Sequence, residues 1–510
     1  NDVQFKYLNK LSDKSELVII GLGAIDDFSL NKEANDGVDD METIERNQYI
    51  LDYIPVQKQW NYTIGANYKY FSNKGFHSIV LSRNHLNNNA VKYSDNIEME
   101  ENLVLDYLSE EIENKFRYEY TFGTNNTEIN TGFGLEQSNY TNDTYKPIPL
   151  FDGTVLPYNY NSKLNFFKYS FFSQLTTQFL NERLVTSIGF RTDFNSYSKI
   201  NINPLSQFSP RLSVGYYLNS NLKYSINTGV YYQLPPYTVL GYRNENNNLI
   251  NRQNGVKYIQ SKQIVMGFEY VTNSNTKITL EGFYKHYEDY PFLVRDSISL
   301  ANLGADFGVI GDEEVVSSSK GRAYGLEFFT QRKLTDGIYG LLSYTLSWSQ
   351  FEDKNFNHIP SSWDQRHIIN VCAAKRFNRN WELGFKWRYT SANPFTPYDE
   401  VRSMNQSYWD VFGQGILDYE LLNTQRNNPF HHLDIRIDKK YYFNNWTLNF
   451  YLDLENIYNK VAYLSPYLTV VRDELGNPVE NPNNPGTYLP KYINNTQGQF
   501  LPSIGLIIEF

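Results

Sequence analysis

Apolar and polar side chains alternate residue by residue along much of this chain. In Glu382-Leu383-Gly384-Phe385-Lys386-Trp387-Arg388-Tyr389 every odd-numbered position is apolar or aromatic, and every even one is polar or glycine. Leu433-Asp434-Ile435-Arg436-Ile437-Asp438 obeys the same rule. Thr447-Leu448-Asn449-Phe450-Tyr451-Leu452-Asp453-Leu454-Glu455 repeats it in the opposite phase, as does Lys277-Ile278-Thr279-Leu280-Glu281. A period of two builds strands with one apolar and one wet face. Two architectures use such strands: a soluble sandwich hides the apolar face in a core, and an outer-membrane barrel turns it to lipid. No apolar run approaches the roughly 20 residues of a spanning helix. Aromatics make up 16% of the 510 residues, with 43 Tyr and 33 Phe. That content excludes a disordered chain and favours strands.

Segment length and loop rhythm separate the two architectures. Many alternating runs extend about 12 to 16 residues, against the usual 5 or 6. They come in pairs joined by short polar turns: 71–75, 181–183, 219–221, 273–275, 335–337, 378–380 and 444–445. Long polar loops at 236–257, 295–319, 399–429 and 461–498 separate the pairs. Sorting of short and long connections to opposite ends marks a transmembrane β-barrel. The expected fold is all-β, a transmembrane antiparallel barrel forming one domain over 1–510. Strands are placed at 2–9, 14–29, 48–70, 76–93, 104–122, 127–142, 163–180, 183–197, 207–218, 221–235, 258–272, 276–293, 320–334, 338–352, 364–378, 381–396, 430–444, 446–460 and 499–510, about 19 in all. Bacterial barrels have an even number of strands, and the first strand here runs toward a short turn. At least one upward strand is therefore expected before residue 1, and three would give about 22.

Tyr216-Tyr217, Tyr231-Tyr232 and Tyr441-Tyr442-Phe443 lie near strand ends, where amphipathic rings meet lipid headgroups. The C-terminal run puts Ile504, Leu506, Ile508 and Phe510 on one face, and terminal Phe510 resembles a barrel-insertion signal.

Phe208-Ser209-Pro210-Arg211-Leu212, Gly321-Arg322-Ala323-Tyr324-Gly325-Leu326-Glu327-Phe328, Trp363-Asp364-Gln365-Arg366-His367 with Asn370, Thr390 to Tyr398, and Leu454-Glu455-Asn456-Ile457-Tyr458-Asn459 follow one another in order. Together with Phe510 they resemble the C-terminal barrel of TonB-dependent outer-membrane transporters, especially those of the Bacteroidota. The likeness is strong over roughly 200–510. It implies a 22-strand barrel in the bacterial outer membrane, an N-terminal plug inside it, and a TonB box that couples it to the inner membrane. Within this chain neither plug-like segment nor TonB box is found, so the plug and about three strands are expected to be absent. The implied function is binding of a nutrient at extracellular loops and its import to the periplasm. A barrel scaffolding an outer-membrane secretion or surface assembly and a passive porin are the alternatives. Expected partners are outer-membrane lipid, the protein's own plug and TonB. Many members also have a surface lipoprotein over the loops, though nothing in this sequence shows one.

Candidate substrate-contacting loop residues are Tyr237, Tyr242, Arg243, Tyr408 and Trp409, because planar rings give contact area at low entropic cost and Arg can clamp an anion. Alternating inner-face charges such as Glu281, Lys386, Arg388, Arg436 and Asp438 are expected to bond one another or the plug. His431 and His432 face opposite sides of a strand, which argues against a convergent metal pair. The acidic stretches Asp36-Gly37-Val38-Asp39-Asp40 and Gly311-Asp312-Glu313-Glu314 read as solvated loops rather than Ca²⁺ sites. The single cysteine, Cys372, reads as a buried structural thiol. No catalytic triad order, nucleotide loop or CxxC pair appears, so no enzyme and no cofactor is expected. A net charge of −10 without a basic stripe argues against a nucleic-acid partner.

Overall fold

The computed structural model describes residues 1–150, 154–273, 275–304 and 312–510. Its long strands are β1 (Asp2–Ser12), β2 (Ser15–Asp27), β3 (Val56–Ser72), β4 (Gly75–Tyr93), β5 (Leu103–Gly123), β6 (Thr127–Pro149), β7 (Val155–Phe179), β8 (Leu184–Asn195), β9 (Phe208–Tyr217), β10 (Leu222–Gln233), β11 (Ile259–Val271), β12 (Thr276–Leu293), β13 (Val315–Thr335), β14 (Ile338–Glu352), β15 (His367–Phe377), β16 (Trp381–Thr390), β17 (Phe430–Tyr442), β18 (Thr447–Glu455) and β19 (Leu501–Glu509). With the short strands Ile298–Ser299 and His358–Pro360 they form a 21-stranded sheet. Every neighbouring pair of long strands is consecutive in sequence and antiparallel, from β1–β2 to β18–β19. Among the described residues the edge strands β1 and β19 are paired on one side only. Asp13-Lys14 and Asn73-Lys74 show how short the connections are at one end. Ser274 of the 272–275 turn lies outside the described residues.

Register separates the faces. Outward rows run Phe122–Ile129–Leu175–Ile188, then Tyr118–Phe133–Phe171, then Leu81–Phe116–Leu135–Tyr169. Leu81, Phe133, Phe171 and Ile188 are exposed. Such a band is the lipid-facing surface of a barrel. On the next row the outward face turns polar, with Arg83–Asn114–Gln137, and farther out it carries Asn87–Glu110–Thr141–Lys163. The inward face of the same strands carries Lys115–Glu136–Lys168.

Three corrections follow. The expected strand 48–70 begins with a helix: α1 (Met41–Tyr53) precedes β3, because the Asp40 carboxylate accepts from the Thr43 backbone N–H at 2.9 Å and caps the first turn. The long connection 28–55 therefore joins the long-loop end. The central strands are also longer than expected, β5 having 21 residues, β6 23 and β7 25. From Phe167 to Val155, β7 runs on for roughly 40 Å beyond the apolar rows. Several other strands, β15, β16 and β18 among them, are shorter than expected, because loop contacts take over their outer ends.

Candidate functional site

The projecting parts of β5, β6 and β7 form a wall, and loops pack on its inner side. Helix α2 (Tyr237–Gly241), in the β10–β11 loop, brings Tyr237, Val239 and Leu240 against Tyr140, Leu164 and Phe166. Val256, Leu293, Leu300 and Val315, from neighbouring loops and strand ends, complete this cluster. A loop buried so deeply exposes carbonyls that must find donors. The Ser162 hydroxyl donates to the Gly241 carbonyl at 2.5 Å, and Tyr197 donates to Leu240 at 2.8 Å. The fully buried Asn251 amide donates to the carbonyls of Val239 and Glu313, at 2.7 and 2.8 Å, and its oxygen accepts from Val315 N–H. Below the helix, the Tyr237 hydroxyl donates to Glu113 at 2.5 Å and accepts from Lys168 at 2.7 Å. Lys168 also pairs with Glu113 at 3.0 Å and with Glu136.

Above this cluster, Tyr158 and Tyr160 of β7 point inward and extend into a ladder with Tyr242. Tyr158 and Tyr160 stack at 6.3 Å and 17°, Tyr160 and Tyr242 at 6.4 Å and 19°. Arg295 lies near the ladder's acidic rim, bonded to Asp296 at 3.0 Å and to Glu313 at 2.7 Å. Burial pushes the Tyr242 phenol up, and Glu313, Glu314 and Asp312 push it further. Burial also raises the Glu313 carboxyl against the pull of Arg295. These phenols stay neutral donors at ordinary pH. Flat rings, hydroxyls and one guanidinium can hold a ring-bearing or hydroxyl-rich ligand without covalent chemistry.

A second cluster is built from loop on loop. Residues Gln406–Phe412 form a helix that seats Trp409 against Met404, Leu468 and Val470, with Tyr398 and Tyr488 around them. Leu468 and Val470 belong to the hairpin Ala462–Val470/Pro490–Gln497 of the β18–β19 loop. Helix α1 closes one side: Tyr49 stacks on Tyr467 at 4.4 Å, Lys491 pairs with Glu45 at 2.6 Å, and Arg46 bonds Thr496. Tyr492 is exposed, yet its phenol, which donates to Glu400 at 3.0 Å, is pushed up to about 12 by partial desolvation and then by that carboxylate.

Of the five loop residues named from sequence, Tyr237 and Trp409 are buried in the two clusters. Tyr242 stands in the ladder. Arg243 donates to the carbonyls of Asn247 and Lys163, at 2.9 and 3.3 Å. Tyr408 stacks on Phe412 at 4.7 Å. The structure thus brings Tyr237, Tyr242 and Arg243 to one wall and Tyr408 and Trp409 to the other. Phe510 is fully exposed at the end of β19. Sequence reasoning missed Tyr158 and Tyr160, having left 143–162 as loop. The signal was present, since Tyr158, Tyr160, Ser162, Leu164 and Phe166 continue the alternation of β7.

The inner wall carries the expected charges. Lys386 pairs with Asp434 at 3.3 Å, and Arg436 with Asp438 at 2.9 Å and Asp453 at 3.6 Å. Cys372 is half-buried on this wall beside Lys386, not enclosed in a core, because β15 turns Ile369, Val371 and Ala373 outward instead. It lines a recess of about 510 Å³ with Lys386, Asp434, Arg436 and Asp453. His431 meets the Tyr458 hydroxyl at 2.7 Å, while His432 lies 3.5 Å from Asp434. Among the described residues no group of three or more His, Cys, Asp or Glu side chains is placed to hold a metal ion. Gly311 of the second acidic stretch lies outside the described residues.

Comparison with known proteins places this architecture. The chain is 14% identical to P. aeruginosa FpvA bound to heterologous pyoverdines, with a TM-score of 0.62, over 99% of this chain and 64% of that one. It is 11% identical to the FrpB iron transporter of Neisseria meningitidis, with a TM-score of 0.61, over 99% and 71%. It is 11% identical to the ferric yersiniabactin uptake receptor FyuA of Yersinia pestis, with a TM-score of 0.60, over 98% and 68%. The chain thus spans about two thirds of the length of these structures. No curated protein sequence matches it. Residues 10–457 match the family model described as TonB dependent receptor-like, beta-barrel. With an outward apolar band, a charged inner wall and long loops at one end, the chain belongs to that family of outer-membrane barrels.

Proposed function

We propose that this chain is the wall of a gated importer, which takes a nutrient at its extracellular loops and passes it to the periplasm under TonB control. The observation that carries the reading is the inward Tyr158–Tyr160–Tyr242 ladder, set above a wall of paired charges. A ligand stacking on the rings, with Arg295 at their rim, would sit over the lumen and report its presence to a plug docked on Lys386, Asp434 and Arg436. In this reading Tyr408, stacked on Phe412 in the second cluster, would add a further ring to the contact surface. Further strands, pairing with the free edges of β1 and β19, would close the barrel; an unpaired edge leaves a row of peptide N–H and C=O groups unsatisfied in lipid.

Uptake in cells carrying the full-length protein tests this. In a panel of labelled ferric chelates, oligosaccharides and cobalamin, deletion of the protein and deletion of TonB are expected to abolish uptake of the same compound. Uptake that needs the barrel but survives loss of TonB would replace the gated reading with a porin. Tyr160→Ala with Tyr242→Ala is expected to weaken binding at the cell surface by about tenfold or more, at ~1–2 kcal/mol for the lost ring contacts.

A further inference from the structure

The connection between β8 and β9, residues 196–207, folds back over the outside of the wall. Thr192 faces outward, since it pairs with the outward Phe171 on one side and with Phe208 on the other. Its hydroxyl donates to the Pro204 carbonyl. The Phe190 ring lies between those of Phe171 and Phe208, at 5.9 and 5.8 Å. Residues 203–205 therefore rest against the outward aromatic surface and not over the lumen. Their depth follows from β8. Tyr216, paired with Leu184 at the foot of that strand, marks the periplasmic interface. The run from Leu184 to Thr192, on a strand tilted about 35–45°, raises Thr192 by ~20 Å, inside a lipid-facing band ~25 Å tall.

A loop at that depth must satisfy its own backbone, and this one does. The Asn201 N–H donates to the Ser198 hydroxyl at 3.3 Å, and the Ile202 N–H to the Ser198 carbonyl at 3.2 Å. Pro204 has no N–H to satisfy. The Leu205 N–H donates to the Asn203 side-chain oxygen and the Ser206 N–H to the Asn203 carbonyl, both at 3.1 Å. The Asn201 carbonyl accepts from Asn195 N–H at 2.9 Å. What the turn presents outward is apolar: Ile202 is 49% exposed and Leu205 76%. Exposed aliphatic chains on a self-bonded turn fit hydrocarbon, not water. Lys199, the one charged residue of 196–207, is exposed, and its long stem lets the ammonium reach the headgroups.

The other face of the same loop grips the first cluster. Tyr197 and Asn201 are buried. Tyr197 donates to the Leu240 carbonyl at 2.8 Å, and the Asn201 amide to the Val256 carbonyl at 3.0 Å. The Ile200 side chain lies against Gly255.

We propose that the β8–β9 loop is an outer-leaflet anchor. Ile202, Pro204 and Leu205 enter the acyl layer, and through Tyr197 and Asn201 the bilayer braces the 236–257 loop that carries Tyr242. The partner is lipid hydrocarbon and not a second protein, because the uncharged tip 202–206 continues the apolar band. The contact is independent of what the barrel imports.

The test uses the full-length protein with Cys372→Ser, one copy per phosphatidylcholine nanodisc, spin-labelled through Leu205→Cys. Ile188→Cys in the lipid band and Leu475→Cys, 87% exposed in the 461–498 loop, are the references. Power saturation reads collision with oxygen, which concentrates in the acyl layer, and with a nickel chelate, which stays in water. The label at 205 is expected to behave as the one at 188, open to oxygen and closed to the chelate. Chelate access equal to that at 475 would overturn the anchor, and so would exclusion of both agents, the mark of a protein cover. Leu205→Asp is expected to speed amide exchange at Leu240 about tenfold as the anchor leaves the bilayer. Leu475→Asp should leave that exchange unchanged. Wild-type exchange at Leu240 in Leu205→Asp would overturn the bracing. Heat-modifiable migration in gels confirms that each variant is folded.

Discussion

The two extracellular clusters reach similar burial by different routes. In the first, Leu240 and Val239 are fully buried against residues of β7, a strand continuous with the barrel wall. Buried side chains of Asn251, Ser162 and Tyr197 hold the loop carbonyls in place. In the second, Leu468 is equally buried, but everything around it is loop, and its link to α1 runs through the Tyr49–Tyr467 stack and part-buried pairs such as Lys491–Glu45. A loop packed on a strand inherits the rigidity of the sheet. A loop packed on loops opens when its weakest contacts do. The second cluster is therefore the part of the vestibule able to move.

The largest lever is the buried ion cluster that ties the β14–β15 loop to the 399–429 loop. Asp364 is fully buried, and its carboxylate accepts from Arg366 at 2.8 Å and Arg426 at 2.5 Å. Asn423 lies alongside, donating to the carbonyls of Asn302 and Pro360 at 2.8 and 3.0 Å. Asp364→Ala strands two guanidinium groups and is expected to cost about 3–5 kcal/mol. Hydrogen exchange should then show both clusters loosening together; loosening of one alone would break the view that Asp364 couples them. Next comes a matched pair. Leu240→Ala is expected to cost about 3–5 kcal/mol, because the strand wall cannot collapse onto the cavity. Leu468→Ala should lie nearer ~2 kcal/mol, because loops can close in. Opening free energies in the reverse order would sink the comparison. Lys491→Gln removes a partly solvent-exposed pair worth ~0.2–1 kcal/mol, and should speed proteolysis of 471–489 without affecting 237–258.

The smallest effect is set by pH. The hydrogen bonds from Thr43 hold the Asp40 carboxyl below its ordinary value. A depressed carboxyl stabilises above the unfolded value of 3.8 and loses that contribution as pH falls through its folded value. Acidification below about pH 4 is thus expected to fray α1 first, seen as faster exchange at Thr43 and Ile44.

Alternation made the barrel legible because each strand's two faces meet different solvents, and that contrast is written residue by residue. Glu382 to Tyr389 and Thr447 to Glu455 were placed with the correct faces. The ends of elements were less legible. The apolar Tyr49, Ile50 and Leu51 were absorbed into a strand, since a short helix beside a strand differs from it only by a cap, and Asp40 supplied that cap. The candidate site was legible only as a class of residue. Tyr237 and Tyr242 read alike in the sequence, yet α2 buries one and leaves the other at the rim.

The sequence alone determined that this chain is a lipid-facing antiparallel wall with a wet inner surface, because a period of two gives each strand one apolar and one wet face, and long runs joined by alternately short and long connections turn the apolar face to lipid. Only the tertiary structure decided that β5 to β7 rise far above the membrane and that Tyr158, Tyr160 and Tyr242 meet. It also placed Lys262, His286 and Arg322 side by side on one outward face. Such meetings depend on strand register and on which loops fold inward. Register couples residues tens of positions apart, and local pattern carries no record of it.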